Sequence, residues 1–337
     1  MSSLNAVLVA KGDDLVEKIR AHIHDRFFAG LPAETVDMSA EHVLSVGHAP
    51  IVAEFLEKLD SLKFAIKPST ASKRTGTSLN PLWRKQCGAT MAWRELLVHN
   101  TYHQPCAIAR LMTGSLYAHA RHSGHEHTKI YTEEWDWDVV RAFTEVAIDY
   151  SIQKGMAIYY PNKRTVSVSE EDFCQAIELE LAKRGVKGTD ILSDDFVAQV
   201  VDSGRFTDEP FAALCSNLMG DLVIDLMMHC NQSYAASSVV FTLSGAKVWE
   251  QSGGTNESML AKYLNGDPVK HDSLDIFLMY TEAYSAANLH NKDFCKKLKR
   301  LYQLAYEAHQ YHEKEWSAQG LLQQLEAQAK QENLLFV

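Results

Sequence analysis

The chain has 337 residues, enough for one large domain or two ordinary ones, and its 46% apolar and 23% charged side chains exclude a disordered protein. A formal net charge of −10 and a pI near 5.8 exclude a free-standing basic DNA-binding domain. The opening residues carry no charged leader with an apolar core, and no apolar run approaches the roughly eighteen residues of a bilayer span, so neither secretion nor membrane insertion is expected.

In chain order the elements read mostly as helices. Leu15, Ile19, Ile23 and Phe27 repeat at i, i+4 behind the Asp13-Asp14 pair, and a second helix is predicted from Ser39 through Leu62. Residues 68–78 are small and polar without an apolar period, which predicts a loop. Helices resume at Asn80-Pro81, run through Trp93 and Leu97, and continue beyond Pro105 through Ile108 and Leu116. Another covers Trp135–Ile152, and Met156–Pro161 with Thr165–Val168 offers one short hairpin. Ser169 opens a helix that Gly185 closes, and further helices are predicted at 193–203, 209–230, 256–264, 271–289 and 291–331. Val239–Trp249 fits strand and helix equally, and the apolar end, Asn333–Val337, is expected to dock on the chain's own core, with docking onto a neighbouring subunit as the alternative.

Glycine (17) and proline (8) are scarce, as short-looped helical proteins require. The expected fold class is therefore mainly α: a multi-helix globular protein of two helical lobes, residues 1–160 and 161–337, with at most a small β-hairpin. Six cysteines without a CxxC pair predict reduced thiols and a cytoplasmic setting.

Charge is unevenly distributed. Residues 61–130 carry ten basic side chains against only Glu95 and Glu126, with no carboxylate between Asp60 and Glu95 or from Leu96 to His125. Exclusion of negative charge suits contact with a polyanion, since each phosphate contact releases counterions. Trp83, Trp93, Tyr102 and Tyr117 lie in the same belt and could stack on unpaired bases. These features predict a non-enzymatic, self-associating protein that coats single-stranded nucleic acid, RNA favoured, as nucleocapsid and coat proteins do, in the cytoplasm or a virion. The residues expected to line its groove are Lys67, Lys73, Arg74, Arg84, Lys85, Arg94, Arg110 and Arg121. Pairing of these cations within the fold or with an acidic surface on another subunit is the competing reading, since net charge speaks to partners and not to fold.

Two alternatives come from other classes. His119, His122, His125 and His127 could serve a helical metal-dependent enzyme, but they lack metal-ligand spacing, and neither metal nor cofactor is expected. A scaffold whose basic belt meets an acidic protein partner is the other. Phosphate-cradling glycine loops, a GxSxG elbow and HExxH are all absent from the sequence.

Overall fold

The computed structural model describes all residues except 1–3, 13, 71–75, 77, 98–100, 115–120, 126, 203–207, 233–235, 252–264, 266–273, 312–317 and 337, with the backbone alone at 14–15, 121–125, 129–131, 309–311 and 318–321. From the N-terminus come β1 (Val7–Lys11), α1 (Asp14–Ile23), a π-helical turn (His24–Phe28), β2 (Ala33–Asp37), α2 (Ala40–Val46), α3 (His48–Leu62), β3 (Phe64–Lys67) and α4 (Leu79–Gln86). The middle of the chain forms β4 (Ala89–Leu96), β5 (Cys106–Leu111), a hairpin of β6 (Arg121–His125) and β7 (Thr128–Thr132), α5 (Trp137–Gln153), β8 (Ala157–Asn162), α6 (Val168–Arg184), β9 (Gly188–Leu192) and α7 (Ser193–Val201). The remainder is β10 (Phe211–Cys215), α8 (Asn217–Cys230), β11 (Ala236–Thr242), β12 (Lys247–Glu250), α9 (Leu274–Ala287), α10 (Lys292–Tyr311) and α11 (Ala318–Gln331).

The mainly helical expectation is thereby corrected to an α/β fold. Most expected helices are present, but β4 and β5 replace the helices predicted through Trp93 and Ile108, and β10 occupies the start of the one predicted at 209–230. Strands β5 and β10 are buried along their whole length. Such strands read as unbroken apolar runs and lack the alternation by which half-exposed strands are recognised. The predicted hairpin at 156–168 is instead β8 leading into α6, and β8 pairs in parallel with β9 and β10. The helix predicted at 256–264 lies outside the described residues.

Contacts divide the chain into two compact units, residues 1–83 with 245–337, and residues 84–244. The boundary expected after residue 160 falls within β8 of the second unit. No described helix is long and apolar enough to cross a membrane.

In the first unit, strands run β2-β1-β3-β12, all parallel. Helix α3 packs against β1, β2 and β3, while α9 packs against β1, β3 and β12. Phe28, from the π-helical turn, stacks on Tyr280 of α9 at 4.7 Å between ring centroids and on Phe336 at 6.3 Å. Phe336 also donates its N–H to Phe27 O (2.9 Å), so the apolar C-terminal segment docks on the chain's own unit.

In the second unit the order is β11-β4-β5-β10-β8-β9. Strands β5, β10, β8 and β9 are parallel to one another, whereas β4 is antiparallel to both β5 and β11. Helices α5 and α6 pack together, as do α7 and α8. Successive strand residues face opposite sides. Trp93 meets Tyr150 of α5 edge-on at 4.8 Å, so its neighbour Arg94 faces the other layer, where α8 lies. That layer is apolar around Leu96, Ile108, Val223, Ile224 and Met227.

Candidate functional site in the second unit

Because β5, β10 and β8 are parallel neighbours, their carboxyl ends share one edge. From β8 the chain enters α6, in the layer of α5, and from β10 it enters α8, in the opposite layer. Adjacent parallel strands whose following helices depart to opposite faces leave a crevice outside their carboxyl ends, the usual ligand position in open α/β sheets.

A compact set of charged side chains stands at this edge. Arg110 is buried near the end of β5, and its Nε donates to Asn217 Oδ1 at 2.9 Å on the first residue of α8. Its Nη1 bonds Asp221 Oδ1 one turn further along. Arg94, on β4, reaches the same Oδ1 at 3.8 Å. Asn217 is itself fixed, donating Nδ2 to Gly114 O at 3.4 Å. Gly220 permits the close approach: a side-chain carbon there would stand 2.8 Å from Arg110 Cβ and 3.2 Å from its Cα.

Asp225 follows Asp221 by four residues and therefore shares its helix face. Asp225 is exposed, yet desolvation by the surrounding protein pushes its pKa up; the Arg94 and Arg110 charges oppose this and Asp221 adds to it. Ser238, directly opposite Arg94 on β11, is buried and its Oγ has no hydrogen-bond partner among the described residues. At the β8 end, burial pushes the Glu170 carboxyl up, against the Ser216 hydroxyl and the Lys163 N–H that favour its charged form. Two guanidiniums and two carboxylates thus meet beside an unsatisfied hydroxyl. Chemically, such a group can grip carboxylates through the forked donors of arginine and hold a hard cation through aspartate oxygens.

Of the eight cations expected to line a groove, Arg94 and Arg110 are brought together, but onto Asp221. Lys67 is buried in the first unit, its Nζ 3.4 Å from Glu250 Oε1. Arg84 and Lys85 lie in the last turn of α4, half-buried and exposed respectively. Lys73 and Arg74 fall outside the described residues, as does the side chain of Arg121 on β6. Of the histidine cluster, His119 is outside the described residues, His122 and His125 are described in backbone only, and His127 is exposed. Among the described residues no group of three or more His, Cys, Asp or Glu side chains could hold a metal.

The sequence reading missed Asn217, Gly220, Asp221, Asp225 and Glu170. A signal was present for two of them: Asp221 and Asp225 sit one turn apart within the apolar run of NLMGDLVIDLMMHC.

No protein-family model and no curated protein matches the chain. Among solved structures, its fold matches that of isocitrate dehydrogenase from Ostreococcus tauri, solved in complex with isocitrate and magnesium(II). The TM-score is 0.75 over 91% of this chain and 93% of that one, at 18% identity, a likeness of fold alone. It overturns the expectation of a helical, non-enzymatic RNA-coating or virion protein, because the fold is an α/β one shared with a dehydrogenase and not a helical coat-protein fold. Lys67, Arg94 and Arg110, assigned to RNA on charge alone, are neutralised by Glu250 and Asp221.

Proposed function

We propose that the chain is an enzyme of small-carboxylate metabolism, binding a substrate with two or more carboxylates together with a divalent cation at the strand edge of the second unit. One observation carries this reading: Arg94 and Arg110 converge on Asp221, with Asp225 one turn away, at the switch point where α/β sheets take ligands. The shared fold of a protein solved with isocitrate and magnesium(II) supports it.

The residues present fit magnesium. Asp221 and Asp225 supply oxygen donors only, and the repulsion that helps raise the Asp225 pKa is relieved by a cation. Magnesium is commonly held by one or two carboxylates, with water and substrate oxygens completing the shell, so a third protein carboxylate is not required. When bound it polarises a substrate oxygen. Arg94 and Arg110 orient the substrate by forked hydrogen bonds to its carboxylates, which take over the place of Asp221 on the guanidiniums and free that aspartate. Asn217 keeps the Arg110 fork in position through Nε. All six cysteines are free thiols, which supports a reducing compartment such as the cytoplasm.

Calorimetric titration of isocitrate, citrate and malate, with and without magnesium, tests the reading. Saturable binding is expected, weakened about tenfold or more by Arg94→Ala or Arg110→Ala, the scale of one charge-assisted hydrogen bond. Absence of binding by all three carboxylates, with and without the cation, would defeat it.

A further inference from the structure

Trp135 stands just ahead of α5, half-buried, with its indole against Gly114 in the loop that follows β5. Gly114 adopts the left-handed φ of +71°, and a side-chain carbon there would stand 2.6 Å from both Cδ2 and Cε2 of the indole. The ring therefore occupies the space into which any other residue would project. Its neighbour Asp136 donates its N–H to Thr113 Oγ1 at 3.2 Å and caps α5, accepting from the Asp138 and Val139 N–H groups at 3.0 and 3.3 Å. Two consecutive residues at the head of α5 thus grip two consecutive residues of the β5 loop.

The indole is itself anchored. Phe173 of α6 lies 5.9 Å from it between ring centroids and packs in turn on Phe143 of α5 at 5.7 Å. Its Nε1 donates to Glu133 Oε2 at 3.1 Å, an oxygen that also accepts from Ser169 Oγ at 3.3 Å.

The gripped loop touches the candidate site directly. Gly114 O accepts from Asn217 Nδ2 at 3.4 Å, and Asn217 Oδ1 accepts from Arg110 Nε at 2.9 Å. A side-chain amide has one donor end and one acceptor end, and turned over it would present Nδ2 to a guanidinium that carries only donors. The Gly114 carbonyl prevents this by holding the donor end, which leaves the oxygen for Arg110. Because a guanidinium is planar, an Nε bonded to Asn217 and an Nη1 bonded to Asp221 fix the plane of the Arg110 fork.

We propose that Trp135 is a positioning residue for carboxylate recognition: lodged beside Gly114, it keeps that carbonyl on Asn217 and, through the amide, aims the Arg110 fork. The inference rests on the functional reading above and adds to it the element that preorganises the guanidinium. Without the indole the loop is released, the amide loses its fixed sense, and the ligand itself must order the Arg110 side chain. Ordering one long side chain on binding weakens affinity between about twofold and tenfold.

The test is a double-substitution cycle on the whole chain, read by calorimetric titration with isocitrate in the presence of magnesium. Trp135→Ala should weaken binding by about twofold to tenfold, and Asn217→Ala by at least as much. In the Asn217→Ala background Trp135→Ala should add no further loss of affinity, because the route to Arg110 passes through the amide. Its effect on the thermal midpoint, which comes from packing on Phe173, should persist in both backgrounds. Trp135→Phe, which keeps a ring beside Gly114, should recover most of the affinity. Should Trp135→Ala fail to fold, Gly114→Ala, which pushes the indole off the loop, supports the same comparison. Unchanged affinity in the folded variant, or the same loss with and without Asn217, overturns the proposal and leaves the functional reading in place. Failure of the wild-type protein to bind isocitrate, citrate or malate, with and without magnesium, overturns the functional reading and this proposal with it.

Discussion

Gly220 of α8 rests on the aliphatic stem of Arg110, whose guanidinium then closes on Asp221 one residue further along the helix. Helix and strand approach closely enough there that a β-carbon at Gly220 would stand 2.8 Å from Arg110 Cβ and 3.0 Å from Cγ. Substituting Gly220→Ala should therefore destabilise the protein although alanine is the better helix former. The overpacking cost of about 1–3 kcal/mol outweighs a propensity gain of about 1 kcal/mol, leaving a net loss of up to about 2 kcal/mol. Urea denaturation measures it. Carboxylate affinity should fall in the same variant, because Arg110 is displaced from Asn217.

Cation and carboxylate should bind with positive coupling. Asp221 is occupied by two guanidiniums in the free protein, so a carboxylate that takes those guanidiniums releases an aspartate for the cation. The expected outcome is a citrate affinity raised about fivefold or more by saturating magnesium, within the usual range of coupling between sites. Asp225→Asn removes one anionic donor and should abolish most of that enhancement while leaving thermal stability near that of the wild type. Calorimetry with and without magnesium checks both statements. An enhancement unchanged in Asp225→Asn would remove Asp225 from the cation site.

Stability should depend on pH through His24. Burial pushes its pKa below the ordinary 6.5, and the adjacent Arg20 charge pushes the same way. Arg20 cannot move aside, because it bonds Glu17 and donates to Tyr280 Oη at 2.5 Å, while the Tyr280 ring lies 5.7 Å from the imidazole. A depressed histidine pKa means that the unfolded chain binds more protons near and below pH 6.5. The stabilisation is complete above that value and is lost as pH falls toward the folded-state pKa. The urea midpoint should drop between pH 7 and pH 5, and His24→Phe, which keeps the ring contact, should flatten the drop. A smaller slope persists from His22, also lowered by burial.

Much of the helical content could be read from the sequence, whereas the sheet could not, for a reason visible in particular strands. CAIARL of β5 and FAALC of β10 are covered by helices on both faces and therefore show no alternation, and alanine in each argues for helix as readily as for strand. The same burial accounts for part of the scarcity of acids in residues 61–130. Strands β3, β4 and β5 are interior there, and an uncompensated carboxylate would be costly. Arg94 and Arg110 tolerate the position because Asp221 reaches them from more than a hundred residues away. A linear charge count cannot register such a pairing. The sequence therefore named two residues of the candidate site without registering that Asp221 pairs with both.

Lys67 and Glu250 provide a test of that same argument at a second place. They end the neighbouring parallel strands β3 and β12, with side chains 2% and 5% exposed and 3.4 Å between Nζ and Oε1. A lysine waiting for a polyanion would be exposed and could be replaced at little cost to stability. A lysine that neutralises a buried glutamate behaves otherwise: its removal takes a charge partner from that glutamate, at a cost of up to about 3–5 kcal/mol. Lys67→Met is therefore expected to lower stability by up to that amount in urea denaturation. Lys67→Met combined with Glu250→Leu should recover most of the loss, since replacing both members of a buried pair with apolar groups is often neutral. Additive losses in the double variant would show that each side chain is held by other neighbours and that the pair itself contributes little.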